Sequence, residues 1–295
     1  MTSAIGPRHA TPPIAGVIGW PIAHSLSPAL HRFWLQAAGI AGDYVPLAVR
    51  PDRLAEALAG LAPLGLRGVN VTIPHKEACV RLVDRLDPLA RRVGAVNLIR
   101  LDDRGRLEGR NSDVAGVQGA LAEEAPDFTC EGACALLLGA GGAARAVAVA
   151  LLDAGIARLV IVNRHEARAR RLAEELADRR AGAGLWQERS ARLKETDLLI
   201  NATSLGMTGQ PRLDLELSLM PAHGIVFDLV YRPLETPLLY EARRRGLTTI
   251  DGLAMLVHQA VPAFEAFFGR HPEDTVGARR HLAELIGGKS PEPAR

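Results

Sequence analysis

The sequence predicts an α/β protein of two domains: an N-terminal α/β substrate domain with a mostly parallel sheet, and a Rossmann-like dinucleotide-binding domain. Short β-branched or aliphatic runs at 16–18, 44–49, 68–73, 95–101, 133–138, 159–162, 197–202 and 225–230 alternate with helical patterns, the grammar of parallel sheets covered on both faces. One of these runs leads straight through a glycine-rich turn into a helical run. At 295 residues and 48% hydrophobic, the chain can bury a core in each of two lobes. No repeat of fixed period is visible, which argues against a solenoid.

Charge and composition narrow the partners. With 35 basic and 33 acidic residues the net charge is +2, so no global field favours nucleic acid or a membrane surface, and any anion site is local. Trp20, Trp34 and Trp186 are far apart, without the aromatic and basic interleaving of a nucleic-acid binder. Three cysteines make no disulfide framework and fit a reducing compartment. Residues 1–13 carry three prolines and no apolar core, so they are not a signal peptide and are expected to form a loose tail, as are 287–295. The apolar stretches 133–138 and 143–152 are well short of the ~18 residues of a membrane span. The expectation is a cytoplasmic protein, monomer or homodimer, acting on a small molecule.

The first run opens into Gly19, Trp20, Pro21 and the segment Ser25-Leu26-Ser27-Pro28, ahead of an amphipathic helix carrying Leu30, Phe33, Trp34 and Ala37. Ser27 and Pro28 read as a ready N-cap and N1 pair, whereas Ser25 has no such structural use. Two hydroxyls in a loop at the C-terminal end of a strand suit a hydroxylated or carboxylated small molecule. His24 and His31 bracket this loop, with a structural or surface role as the plainer reading.

The run 68–73 is halted by Pro74 and presents Lys76 at a loop-helix junction. Asn70 and Thr72 share one face of that strand, because alternate residues point the same way. Asn97 and the triplet Asn111-Ser112-Asp113 follow; each is either a satisfied core polar group or a ligand contact. Ser112 or Asp113 can equally cap the helix starting near Val114. An enzyme that interconverts an alcohol and a ketone needs a proton donor beside a hydride donor, and Lys76 is the candidate donor.

The hydride side is written in Gly139-Ala140-Gly141-Gly142-Ala143-Ala144, between the strand at 133–138 and a helical run. This is the G-x-G-x-x-A dinucleotide fingerprint in its required context. Gly139 permits the tight turn, Gly141 lets backbone approach a pyrophosphate, Ala144 allows close packing, and the helix N-terminus favours the anion. The next strand ends in Asn163-Arg164 rather than the acidic residue that would hold a ribose 2′-hydroxyl. Arg164 and Arg168 can instead fork a 2′-phosphate, so NADP is the expected cofactor. Arg170 and Arg171 read as a solvated helix face.

The chain divides into 1–112, a substrate-binding and catalytic segment; 113–251, the NADP-binding unit; and 252–290, helices returning to the first domain. The last assignment follows from a helical run at 252–268, apolar at Leu253, Leu256, Val257, Ala260, Phe264, Phe267 and Phe268, that no strand follows. A cleft is expected between the lobes. His75 and Cys79, on an expected helix, and Cys130 and Cys134 are each four apart, but neither pair brings a third ligand, so no metal is expected.

Taken together, the segments 19–28, 68–76, 94–97, 111–116, 139–144, 201–207, 228–237 and 251–260 resemble the shikimate dehydrogenase family, in order and across most of the chain. The resemblance implies reduction of 3-dehydroshikimate to shikimate with NADPH, in a route to aromatic amino acids through chorismate. It implies that Ser25 and Ser27 bind the substrate carboxylate, that Asn70, Thr72, Asn97, Ser112 and Gln259 hold the carboxylate or ring hydroxyls, and that Lys76 and Asp113 are the catalytic pair. Tyr231 would lie where substrate and nicotinamide meet. Thr203, Ser204, Leu205, Met207, Leu229, Gly252 and Met255 would line the nicotinamide side, and Asn163, Arg164, His165 and Arg168 the 2′-phosphate. Leu98 stands where the family usually has Thr, Ser112 where Thr is commoner, and His165 where Ser or Thr is common. The Ser-x-Ser pair resembles shikimate-selective members more than quinate users. A quinate or aminoshikimate dehydrogenase on the same fold is the alternative enzyme, and a non-catalytic NADP-binding regulator the alternative class.

Overall fold

A computed structural model describes residues 12–287. The expected loose ends fall outside these residues, save Pro12, Pro13 and Gly287, as do 288–290 of the third segment. The chain runs β1 (Ile14–Gly19), α1 (Ser27–Ala37), β2 (Asp43–Ala48), α2 (Leu54–Gly60), β3 (Leu66–Val71), β4 (Arg85–Leu86), α3 (Pro88–Val93), β5 (Leu98–Leu101), β6 (Leu107–Arg110) and α4 (Asp113–Glu124). It continues through β7 (Cys134–Leu138), α5 (Gly142–Asp153), β8 (Arg158–Val162), α6 (Glu166–Leu176), β9 (Ala181–Gly184), α7 (Arg189–Arg192), β10 (Leu198–Asn201), β11 (Ile225–Asp228), α8 (Pro237–Arg244) and β12 (Thr248–Ile250). Two helices close it, α9 (Gly252–Phe268) and α10 (Thr275–Gly287).

The strands form two six-stranded sheets. The second has the order β12-β11-β10-β7-β8-β9, with every pairing parallel. Its central strands are buried on both faces, which is why they read as continuous Leu, Ile and Val runs rather than alternating ones. The first has the order β2-β1-β3-β5-β6-β4 and is mixed. β1 pairs in parallel with β2 and β3, whereas β5 is antiparallel to both β3 and β6.

The strand expectations hold at their centres and move at their ends. The largest change is at 95–101, which is strand only from Leu98. The three residues ahead of it are a buried loop, since Val96 N–H donates to the Lys76 carbonyl (2.9 Å) and Asn97 N–H to the Arg110 carbonyl (3.1 Å). Four strands have no counterpart in the sequence reading. β4 is two residues long, β12 is three, and β9 is Ala-Gly-Ala-Gly, with almost no side chain to carry a pattern.

α9 buries Leu253, Val257, Ala260, Phe264 and Phe267 against α1, β3, β5, α4 and α10, so it packs back on the first sheet as its pattern predicted. The aromatic cluster at that junction encloses His31, whose ring stacks on Tyr44 with centroids 3.9 Å apart. Burial pushes the imidazole down to about 3, so His31 is a neutral core group, while His24 is exposed. His75 and Cys79 do not share an α-helix: Cys79 lies in a short 3₁₀ turn and His75 precedes it. Burial pushes the Cys79 thiol up to about 12. Cys134 opens β7, so the other cysteine pair is not helical either. Among the described residues no cluster of three or more His, Cys, Asp or Glu could hold a metal ion, and no helix is long and apolar enough to cross a membrane.

Candidate active site

β1 and β3 end side by side, and the segments that leave them are stitched together. Thr72 N–H donates to the Ile18 carbonyl (2.9 Å) and Trp20 N–H to that of Ile73 (3.1 Å). His75 is buried and its Nε2 lies 2.7 Å from the Val49 carbonyl, an acceptor only, so Nε2 carries the proton. With the Val96 bond to the Lys76 carbonyl, the backbone is held on both sides of Lys76. Its Nζ lies 2.6 Å from Asp113 Oδ2, with side-chain exposures of 14% and 4%. Asp113 Oδ1 accepts from Asn97 Nδ2 at 2.8 Å. Both carboxylate oxygens therefore face donors, at the N-terminus of α4, where the helix dipole also favours negative charge.

Neither Ser112 nor Asp113 caps α4 with its side chain. Asn111 does so, its Oδ1 accepting from the N–H groups of Asp113 (3.0 Å) and Val114 (3.4 Å). This leaves the Asp113 carboxylate for Lys76. Residue type alone does not choose among Asn111, Ser112 and Asp113, all of them capping types.

The remaining polar candidates join the same network. Asn97 Nδ2 also reaches Ser112 Oγ (3.0 Å) and Gln259 Oε1 (3.4 Å), and its Oδ1 accepts from Ser112 N–H (2.7 Å). Asn70 Nδ2 donates to the Asn97 carbonyl (3.0 Å) and its Oδ1 accepts from the Tyr44 hydroxyl (2.7 Å). Thr72 is half-buried beside Gly19. Ser27 is the first residue of α1 rather than its N-cap, and its hydroxyl caps nothing. Ser25, expected to have no structural use, does have one: its Oγ accepts from Ser27 N–H (3.3 Å). Between the serines, Leu26 is buried in an apolar cluster against which Tyr231 packs, and burial pushes the Tyr231 phenol up. Tyr231 follows β11, so this contact ties the second lobe to the serine loop.

The glycine-rich turn fits a dinucleotide. Gly139 has φ +117°, and a Cβ there would stand 2.8 Å from the Ala202 carbonyl. Gly141 is the N-cap of α5, and nothing lies within 4 Å of where its Cβ would be, leaving the open space a phosphate needs before the unpaired N–H groups of Gly142, Ala143 and Ala144. Ala140 and Ala144 are buried. Gly142, to which the fingerprint assigns no task, faces the other lobe. A Cβ on it would come within 3.0 Å of Lys76 Cβ and 3.1 Å of Lys76 Cδ.

At the end of β8, Asn163 Nδ2 donates to the His165 carbonyl (3.0 Å), while Arg164 and His165 are exposed. Arg170 and Arg171 pair with Glu166 (3.4 Å) and Glu175 (2.7 Å) on their own helix, as a solvated face should. Arg168 does not: it points to Glu77, beside Lys76, at 3.5 Å. Glu77 and Arg145 are absent from the sequence reading.

The loop after β10 is shaped by Asn201, which is fully buried. Its Nδ2 donates to Asp228 Oδ1 (2.9 Å) and the Leu205 carbonyl (3.1 Å), and its Oδ1 accepts from the Thr203 hydroxyl (2.7 Å). This brings Thr203, Ser204, Leu205 and Met207 past the glycine turn, with Thr203 Cγ2 3.4 Å from the Gly139 Cβ position. Leu229 N–H donates to the Asn201 carbonyl (3.0 Å). Gly252 is pressed on Leu229, since a Cβ would lie 2.4 Å from its carbonyl oxygen, and Met255 is buried one turn on.

Comparison with known proteins gives the family. Residues 17–99 match the shikimate dehydrogenase substrate binding domain, and residues 120–211 match shikimate / quinate 5-dehydrogenase. A shikimate dehydrogenase (NADP(+)) of Rhodospirillum rubrum is 53% identical over 263 residues, covering 88% of this chain and 93% of the relative. The chain belongs to the shikimate dehydrogenase family. Membership makes it an NADP-dependent oxidoreductase. The solved Thermus thermophilus shikimate 5-dehydrogenase in complex with NADP(H) and shikimate superposes with a TM-score of 0.82 at 39% identity, covering 93% of this chain and 99% of that one. The quinate dehydrogenase of Corynebacterium glutamicum in complex with NAD superposes with a TM-score of 0.85 at 31% identity, covering 92% and 99%.

Proposed function

We propose that this family member catalyses the reversible NADP-dependent interconversion of 3-dehydroshikimate and shikimate in the cytoplasm, in a route to chorismate and the aromatic amino acids, with Lys76 and Asp113 as its acid-base pair. The observation that carries the reading is the position of Lys76, bonded to a buried Asp113 on one side and lying against Gly142 of the cofactor turn on the other. The nicotinamide, when bound, supplies or accepts the hydride. Negative charge then develops on the substrate oxygen during reduction, and the Lys76 ammonium gives it a proton; in oxidation the amine takes the proton back. Asp113 orients the ammonium and shares its charge, so the two act as one coupled unit. Asn97 fixes the Asp113 carboxylate from its far side.

Ser25 and Ser27 hold the substrate carboxylate, and Asn70, Thr72, Asn97, Ser112 and Gln259 the carboxylate or the ring hydroxyls, with Tyr231 at the seam with the nicotinamide. On the cofactor side, Gly139 to Ala144 cradle the pyrophosphate and Asn163, Arg164, His165 and Arg168 receive the 2′-phosphate. The loop from Thr203 to Met207, with Leu229, Gly252 and Met255, lines the nicotinamide. The division into 1–112, 113–251 and 252–290 follows from this assignment, with the cleft between the first and second segments.

Quinate is the competing substrate, because the matched family spans both activities. Ser25 and Ser27 favour shikimate, since the second hydroxyl carries no methyl group. NADP reduction measured with shikimate beside quinate tests the proposal. Shikimate is expected to have the higher kcat/KM by at least an order of magnitude, and a preference for quinate would overturn it.

A further inference from the structure

Glu77 sits immediately after Lys76 in the first lobe, and two arginines of the second lobe compete for it. Arg168 Nη2 lies 3.5 Å from Oε1, while Arg145 Nε lies 4.0 Å from Oε2. The two arginines differ in kind. Arg168 is more than half exposed and is free to turn toward a ligand. Arg145 is buried, with its Nη2 bonded to Glu175 (2.5 Å) and its Nη1 directed at the Val93 carbonyl (3.5 Å). Its Nε has no hydrogen-bond partner among the described residues. A buried N–H left unpaired costs roughly 1–3 kcal/mol, and the nearby anion that can relieve it is the carboxylate of Glu77, half an ångström beyond bonding range.

We infer that Glu77 is a positioning residue that couples the 2′-phosphate of the cofactor to the seating of Lys76. Without cofactor, Glu77 is shared between Arg168 and Arg145. A 2′-phosphate claims Arg168, a stronger partner than one exposed carboxylate, and repels Glu77. The carboxylate then closes on Arg145 Nε, which is already fixed by Glu175 and the Val93 carbonyl. Because Glu77 is the next residue, its closing on Arg145 fixes Lys76 where it already lies, against Gly142. A cofactor lacking the 2′-phosphate leaves Glu77 on Arg168 and Lys76 less firmly held. NADP is thus distinguished from NAD at the chemical step as well as in binding.

The inference rests on the reading of the protein as an NADP-linked shikimate dehydrogenase, and the experiment separates the two. Shikimate oxidation is measured at saturating NADP and at saturating NAD for the native enzyme, Glu77→Gln, Arg168→Gln and the double variant. If the native enzyme does not oxidise shikimate, the functional reading fails. If it does, Glu77→Gln should lower kcat with NADP at least ~5-fold, the scale of a typical coupling, while kcat with NAD and the melting temperature stay unchanged. KM for NADP should not rise, since Arg168 is no longer pre-engaged. Arg168→Gln frees Glu77 for Arg145 whatever the cofactor, so it should raise KM for NADP and bring kcat with NAD up toward that with NADP, and the double variant should show the kcat loss of Glu77→Gln and no more. In Glu77→Gln, equal losses with both cofactors, an unchanged kcat with NADP or a rise in KM for NADP alone would each overturn the inference, as would an Arg168→Gln variant whose kcat with NAD does not rise.

Discussion

Asp113 and Asp228 are both almost fully buried carboxylates, and their surroundings give them different tasks. Asp113 faces Lys76 at 2.6 Å. Asp228 faces only neutral donors, namely Asn201 Nδ2, the Val230 N–H (3.0 Å) and the Thr236 hydroxyl (2.7 Å). Desolvation outweighs those bonds and pushes Asp228 up to about 6. The folded state therefore prefers the protonated acid, and the ionised form costs stability above about pH 6. That cost, about 3 kcal/mol for a shift of roughly two units, is relieved as pH falls from about 6 toward the unfolded value near 4. Asp228→Asn, neutral throughout, should remove this dependence. Between pH 7 and pH 4 the native protein should gain up to about 3 kcal/mol relative to the variant in denaturant titrations, and a constant difference would contradict the assignment.

At the scale of elements, the strand-turn-helix junctions place the chemistry. The β7 to α5 junction was legible in full, because glycine identity is itself the geometric signal: Gly139 needs positive φ and Gly141 needs open space. The β8 to α6 junction was legible in its residue types, with Asn163-Arg164 where an acidic residue would bind a ribose hydroxyl. Arg164→Asp places a negative charge where the 2′-phosphate would sit. It should cost ~1.5–3 kcal/mol of NADP binding, roughly 10- to 100-fold in kcat/KM, with little change for NAD. An unchanged ratio of NADP to NAD would remove Arg164 from this role. The direction of Arg168 was not legible, since the sequence set it beside Arg164 and only the approach of the two lobes brings Glu77 within its reach. The caps of α1 and α4 were misplaced for a related reason. A Ser or Asp near a helix start is a cap by default, and only the fold shows that Asn111 has taken that position at α4.

For the molecule as a whole, the alternation of runs was enough for two α/β lobes and a returning helix, while the mixed character of the first sheet was hidden, because a run of strand residues does not say which way it lies beside its neighbour and β5 runs antiparallel to β3. Which polar residues meet was a matter of tertiary structure. Asn70, Asn97, Ser112, Asp113 and Gln259 are spread over 190 residues of sequence and become one hydrogen-bonded network only when α9 packs on the first sheet and α4 packs on α9. Lys76 is where that network meets the cofactor turn. The central claim is that one lysine serves both lobes, donating the proton while the dinucleotide is held elsewhere. It is tested most directly by Lys76→Met, measured for shikimate turnover and, separately, for NADPH affinity by fluorescence titration. The account predicts a kcat lower by roughly 10²–10⁴-fold, the usual contribution of a general acid-base group, with NADPH affinity essentially unchanged. Near-normal turnover in that variant would contradict it.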